Sequence, residues 1–263
     1  MRRGSMFWGF VLVLLGGLFL LQAQGLITDV FGWFLPIIFI LIGAWIIFGR
    51  FLPSSLPDGE TFSIDLQGAA KVDLDFDHGA GMVMLTGGAP MGVALIGSQA
   101  LGMDVKSHLA GDSLTVDLNA GPTFIPFIGP ESGEWRFQVT QEVPVNLKVD
   151  SGASSLDFDF TAVKLAFLGV DTGASSLKVK LPAAAGHTLV NVESGAATIE
   201  MIVPEGVAAR IRLEQGASTI QVDEKRFPLV TSMGHLYQSP DYDSAANKVE
   251  INLEGGANSV KVF

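Results

Sequence analysis

Aspartates alternate with apolar residues in Asp73-Leu74-Asp75-Phe76-Asp77, the spacing with which a calcium loop begins. Such a loop needs Gly at its sixth position and Glu at its twelfth, where this chain has His78 and Met84, so an EF-hand is excluded. On a strand the same spacing sets three carboxylates on one solvated face. A second acidic series precedes a repeated Gly turn: Asp150, Asp171, Glu193, Glu214 and Glu254. Stacked in register, these five form an acidic ladder with neighbours ~4.8 Å apart. Either a divalent cation offsets their repulsion, or hydrogen bonds from turn amides do so together with solvent exposure. Screening at a surface favours the second account.

Other reactive constellations are missing from the chain. His78, His108, His187 and His235 are scattered without a metal-binding spacing such as His-Glu-x-x-His. There is no cysteine, which excludes disulfides, thiolate metal sites and a cysteine nucleophile. No Gly-x-Ser-x-Gly elbow, phosphate loop or dinucleotide fingerprint occurs. The serines that stand out are repeated, and a repeated residue is a poor candidate for a unique nucleophile. The expectation is a protein that is not an enzyme, with no catalytic, cofactor-binding or metal-binding residues and no cofactor. Sixteen Lys and Arg face 27 Asp and Glu, a net charge of -11, with no basic run, which argues against a nucleic-acid partner.

The elements that position the acids are legible as a repeat. Ser151-Gly152-Ala153-Ser154-Ser155-Leu156 recurs at Thr172-Gly173-Ala174-Ser175-Ser176-Leu177, at Ser194-Gly195-Ala196-Ala197-Thr198-Ile199, at Gln215-Gly216-Ala217-Ser218-Thr219-Ile220 and at Gly255-Gly256-Ala257-Asn258-Ser259-Val260. The Gly-Ala pair advances by 21, 22, 21 and 40 residues, the last close to two periods. Apolar residues alternate on both sides of each copy, as in Val145-Leu147-Val149 and Leu156-Phe158-Phe160, so each unit is strand, tight turn, strand. Gly152, Gly173, Gly195, Gly216 and Gly256 are expected as structural turn residues with positive φ. One unit of ~21 residues cannot bury its own apolar face, so units must stack into an all-β solenoid or rack. In parallel register, Asp157 and Asp159 would lie beside Lys178 and Lys180, and Lys178 beside Glu200. Residues 62–149 read as a less regular version of the same rack, with an exposed loop from Pro122 to Gly133 carrying Phe124 and Phe127.

The amino-terminal residues belong to a different solvent. Met6 to Ile27 and Val30 to Gly49 are uncharged stretches of 22 and 20 residues, each long enough to cross a hydrocarbon core as a helix. They predict a two-helix transmembrane hairpin, 6–27 and 30–49, within residues 1–50, followed by a linker at 51–61 and a β-rack domain at 62–263 whose regular repeats begin at about 145. Ala23-Gln24-Gly25 also fits a signal-peptide cleavage site, and both readings place residues 51–263 in the cytoplasm, given Arg2, Arg3 and Arg50.

The uncharged stretches Trp8-Gly9 through Leu21 and Trp33 through Gly43, the segment Phe62 through Gly88, and Tyr237-Gln238-Ser239-Pro240-Asp241-Tyr242 leading into Val249 to Val262 together resemble the LiaF-like membrane family. That resemblance implies short membrane helices joined to a toast-rack β domain in a bacterial inner-membrane protein linked to cell-envelope stress signalling, some relatives restraining a sensor histidine kinase. It brings no catalytic residue. The function expected is a membrane-anchored regulator or scaffold acting by protein–protein interaction. Its expected partners are the lipid bilayer, a membrane protein such as a sensor kinase, and a second copy of the chain in a homo-oligomer. The rival expectation is an adhesin-like surface β-solenoid.

Overall fold

The computed structural model describes Phe19, Gln22, Gln24, Gly25 and residues 61–98, 103–120, 134–231 and 235–263. The chain divides into two compact units that meet at Pro57 and Asp58. In the first unit, Phe19 and Gln22 have helical backbone, and the Gly25 N–H donates to the Gln22 carbonyl at 2.9 Å. Gly25 has φ 72°, so the chain turns at Gln24–Gly25. Among the described residues no helix is long and apolar enough to cross a membrane. The two-helix hairpin therefore drops out of the fold class, because the regular hydrogen bonding that is described runs between strands. The rest of 6–27, all of 30–49 and the loop at 122–133 lie outside the described residues, as does the linker up to Thr61, which already opens the first strand.

The second unit is an all-β rack of stacked strands. Its strands are β1 (Thr61–Asp65), β2 (Lys71–Gly87), β3 (Val93–Ser98), β4 (Met103–Ala110), β5 (Ser113–Ala120), β6 (Glu134–Val139), β7 (Val145–Asp159), β8 (Leu165–Lys180), β9 (His187–Ile202), β10 (Ala208–Gln215), β11 (Thr219–Val222), β12 (Leu229–Thr231), β13 (Leu236–Gln238), β14 (Lys248–Gly255) and β15 (Ser259–Val262). The long strands β2, β7, β8 and β9 pair in parallel and each bends once in its middle. Their first halves extend one leaf, in the order β4-β5-β2-β7-β8-β9-β14-β10-β13-β12, and their second halves another, β1-β3-β6-β2-β7-β8-β9-β15-β11.

The bend follows from side-chain alternation. In β7, Leu147, Val149 and Ser151 point inward and Asp150 outward, but Gly152 and Ala153 are both exposed before Ser154, Leu156 and Phe158 return to the interior. Two successive outward residues shift the period-two pattern by one and turn the strand through a corner, so the inner faces of both leaves close on one core. Phe76, Phe158, Phe160 and Phe227 are the largest fully buried side chains of that core, each contributing roughly 1.5–3 kcal/mol by burial. At the β2 end, Phe76, Trp135 and Phe137 meet edge to face at 5.3–6.4 Å.

The repeated glycines require a correction. Gly152, Gly173 and Gly195 lie inside the continuous strands β7, β8 and β9, while Gly216 and Gly256 sit in the short breaks before β11 and β15. None of the five has a positive φ. Their requirement is spatial instead: a Cβ at Gly152 would lie 2.7 Å from the Gly79 carbonyl oxygen, one at Gly173 2.8 Å from that of Gly152, and one at Gly195 2.8 Å from that of Gly173. The column continues through Gly256, against Gly195, to Gly216, against Gly256. Glycine lets successive corners nest at a spacing that any side chain would wedge apart.

The 40-residue interval also has a different meaning from two periods. After β11 the chain leaves the stack, forms β12 and β13 against β10, and returns. It then inserts β14 between β9 and β10, and β15 between β9 and β11. The last rung in sequence is thus interior in space, and the β10–β11 rung is terminal.

The acidic corner as a candidate interaction face

Parallel register carries each position of the repeat into a column. Asp150 pairs with Asp171, Asp171 with Glu193, Glu193 with Glu254 and Glu254 with Glu214, so the five acids expected as a ladder do align. Asp77 of β2 pairs with Asp150 and extends the column to six. All six are exposed. Among the described residues none of the six forms an ion pair, and none accepts a hydrogen bond from a corner amide. Exposure to water and salt screens their mutual repulsion.

Beside the acids runs a ridge with almost no side chains: Gly79-Ala80, Gly152-Ala153, Gly173-Ala174, Gly195-Ala196, Gly256-Ala257 and Gly216-Ala217, all exposed. On its far side Met82, Ser155, Ser176, Thr198, Ser259 and Thr219 form the next outward column, five of the six bearing hydroxyls. The corner is therefore flat, regular and negatively charged along one border.

Charges are handled differently on the second leaf. Asp157 stands beside Lys178, Lys178 beside Glu200 and Glu200 beside Lys261, which confirms the parallel register expected there and gives alternating signs. Lys178 reaches Glu200 at 3.7 Å and Lys180 reaches Asp159 at 2.9 Å. Burial works against the Asp159 charge, but hydrogen bonds from Lys180 and Thr161 outweigh it and hold that carboxyl below its ordinary value. The same bond to Asp159 raises the Lys180 ammonium above its usual value.

The alternating aspartates of β2 differ in their surroundings. Asp73 accepts hydrogen bonds from Ser113 and from Asn146 (2.7 Å) and lies 3.6 Å from Lys71. Desolvation raises its pKa, yet these bonds and Lys71 leave it lowered. Asp75 and Asp77 line an open cavity of about 320 Å³ together with Lys106, Asp117, Asn119 and Asp150. Among the described residues no three His, Asp or Glu side chains come together in a way that could hold a metal ion. His108, His187 and His235 are exposed and apart.

His78 is different. It is 2% exposed and takes the inward corner position held by Ser151, Thr172 and Ser194 in the next rungs. Ser151 donates to Thr172 at 3.1 Å, and Asn258 donates to Ser194 at 3.0 Å, so this inner seam is polar. The His78 ring packs against Trp135 with centroids 4.5 Å apart and planes tilted by 58°, and neither ring nitrogen has a hydrogen-bond partner. Desolvation lowers its pKa, against the raising effect of Asp77.

Sequence reasoning missed Asp77 and Gly79 as members of the columns, although Asp77-His78-Gly79-Ala80 carries the acid-x-Gly-Ala signature of the later copies. It also missed the ladder in which Arg212 donates to Asn252 (3.2 Å) and Asn252 to Asn191 (3.0 Å). Those residues come together only because the last rung inserts out of order.

The model of the N-terminal domain of toast_rack, DUF2154, matches residues 53–202. The chain belongs to this family. The match spans β1 to β9, so the stacked corners described above are those of a toast-rack domain. A solved structure of a "putative cell adhesion protein" from Clostridium sporogenes has the same fold, with a TM-score of 0.65 over 78% of this chain and 98% of that one at 19% identity. A second, of a "putative adhesin" from Bacteroides fragilis, aligns at a TM-score of 0.30 and 9% identity over 77% of this chain and 96% of its own. No curated protein matches the chain.

Proposed function

We propose that this toast-rack domain is a non-enzymatic binding module that regulates or scaffolds envelope-stress signalling at the bacterial inner membrane, with the rack on the cytoplasmic side. The observation that carries the reading is the column of six exposed, unpaired carboxylates beside a flat Gly-Ala ridge. A regular acidic face of this kind suits a basic protein surface, attracts it over a range set by salt, and excludes nucleic acid. The resemblance to LiaF-like proteins supports a membrane signalling protein, such as a sensor kinase, as that partner. Replacing Asp150, Asp171 and Glu193 together by Asn, Asn and Gln tests the mechanism. Partner capture from solubilised membranes should fall and lose its salt dependence while the circular dichroism of the chain stays unchanged. Unaltered capture would eliminate the acidic corner as the binding face.

The second reading is an adhesin-like surface module, favoured by the name carried by the Clostridium sporogenes structure of the same fold. Topology separates the two. A carboxyl-terminal reporter active only inside the cell supports regulation, and one active only outside supports adhesion.

A further inference from the structure

The two leaves of the rack end unevenly. Beyond β9 the first leaf continues for four strands (β14, β10, β13, β12), while the second continues for two (β15, β11). Beyond β2 the inequality reverses: the second leaf continues for three strands (β6, β3, β1) and the first for two (β5, β4). One end of the rack thus has a recess in its second leaf, and the other end has a projection in that same leaf.

The strands bordering recess and projection match each other. β11 reads Thr219-Ile220-Gln221-Val222, followed by Asp223, and β1 reads Thr61-Phe62-Ser63-Ile64-Asp65. Among the described residues β11 pairs only with β15, and β1 only with β3. Both run in the same direction, since β1 is antiparallel to β3, β3 antiparallel to β6, and β6 parallel to β2 and hence to every rung. Ile220 and Val222 take the inward positions of Val260 and Val262, yet they are half-buried where those residues are fully buried. Leu229 faces inward in register with Tyr237 and is still 43% exposed, so among the described residues no strand covers the inner surface beside β11. Neither β11 nor β1 carries a Lys, a Pro or an outward charge before its closing Asp, the devices that usually block edge pairing. The edge strand of the first leaf, β4, does carry them, with Asp104 and Lys106 exposed and paired at 2.7 Å.

We propose that this chain binds a second copy of itself head to tail, the β1 edge of one copy adding in parallel to the β11 edge of the next. Phe62 and Ile64 then continue the inward rows of Ile220 and Val222, and Thr61 and Ser63 continue the outward rows of Thr219 and Gln221. The like charges Asp65 and Asp223 fall at the end of the match. Such a contact joins two different surfaces and leaves one of each free, so it propagates into rows instead of closing into a two-fold dimer. It does not depend on the regulatory reading, and the acidic corner plays no part in it.

The natural absence of cysteine makes the test specific. Full-length chains carrying Ser63→Cys and Gln221→Cys, both outward edge positions, are purified separately, mixed and mildly oxidised. The mixture should give a disulfide-linked pair, while neither chain alone should. The doubly substituted Ser63→Glu, Gln221→Glu chain places like charges across the contact and should sediment as a monomer where the wild type grows in mass with concentration. Its fold is retained, because the new Glu at 221 faces Lys261 within the same molecule. Ser63→Lys with Gln221→Glu should restore association. A wild type that stays monomeric at every concentration, linked pairs from either cysteine variant alone, or undiminished association of the double-Glu chain would each overturn the proposal.

Discussion

Substituting alanine at Gly173 and, separately, at Gly79 gives opposite outcomes at one and the same position of the repeat. A Cβ on Gly173 would sit 2.8 Å from the Gly152 carbonyl oxygen and 3.7 Å from its carbon. Both are backbone atoms of β7, which parallel ladders to β2 and β8 hold on its two sides, so neither can swing aside as a side-chain tip would. The corners of β7 and β8 must part locally. Overpacking of that kind costs about 1–3 kcal/mol. Restricting the unfolded chain returns about 0.4–1 kcal/mol. The net expectation for Gly173→Ala is a loss of roughly 1–2 kcal/mol, a fall in Tm of about 2–8 °C for a domain of this size. At Gly79 φ is not positive and a Cβ would meet nothing within 4 Å, since among the described residues no corner stacks on its outer side. Gly79→Ala should therefore leave Tm unchanged or raise it by a few degrees. Thermal unfolding of the full chain followed by circular dichroism reads both. Equal losses at the two glycines would refute nesting of carbonyl on glycine and restore a conformational requirement common to every copy.

Two further outcomes follow from burial and from strand order. Burial holds the His78 imidazole below its ordinary value against the opposing pull of Asp77, so as pH falls the unfolded chain takes up a proton before the folded chain does. Stability should be flat above about pH 6.5 and decline as pH falls below it, by at most ~1.4 kcal/mol per pH unit. His78→Leu should remove that component from a denaturant titration run at several pH values, and an unchanged slope would exclude the buried imidazole as its source. Deleting residues 259–263 removes β15 from between β9 and β11 and exposes the interior edges of both. The shortened chain should be degraded by protease at concentrations that leave the full chain intact, whereas survival would argue against the inserted position of the last rung.

Period-two alternation and the fixed advance of the Gly-Ala pair were enough to determine an all-β stack, the register of Asp157, Lys178 and Glu200, and the alignment of Asp150, Asp171, Glu193, Glu214 and Glu254. These are properties of a repeat: once units stack in parallel, equal positions must become neighbours, whatever the remaining contacts are. Strand order was decided by the tertiary structure alone. The 40-residue interval is compatible with a silent rung or with an excursion, and only the fit of β14 and β15 between β9 and the β10–β11 rung selects the excursion. The reason for the glycines was likewise invisible along the chain, since a residue chosen for positive φ and one chosen for a neighbour's carbonyl look the same in sequence. The same limit applies to His78. Beside Gly79 it reads as a surface turn residue, and it is buried because the corner points it inward onto Trp135, a residue 57 positions away that only the pairing of β2 with β6 brings near.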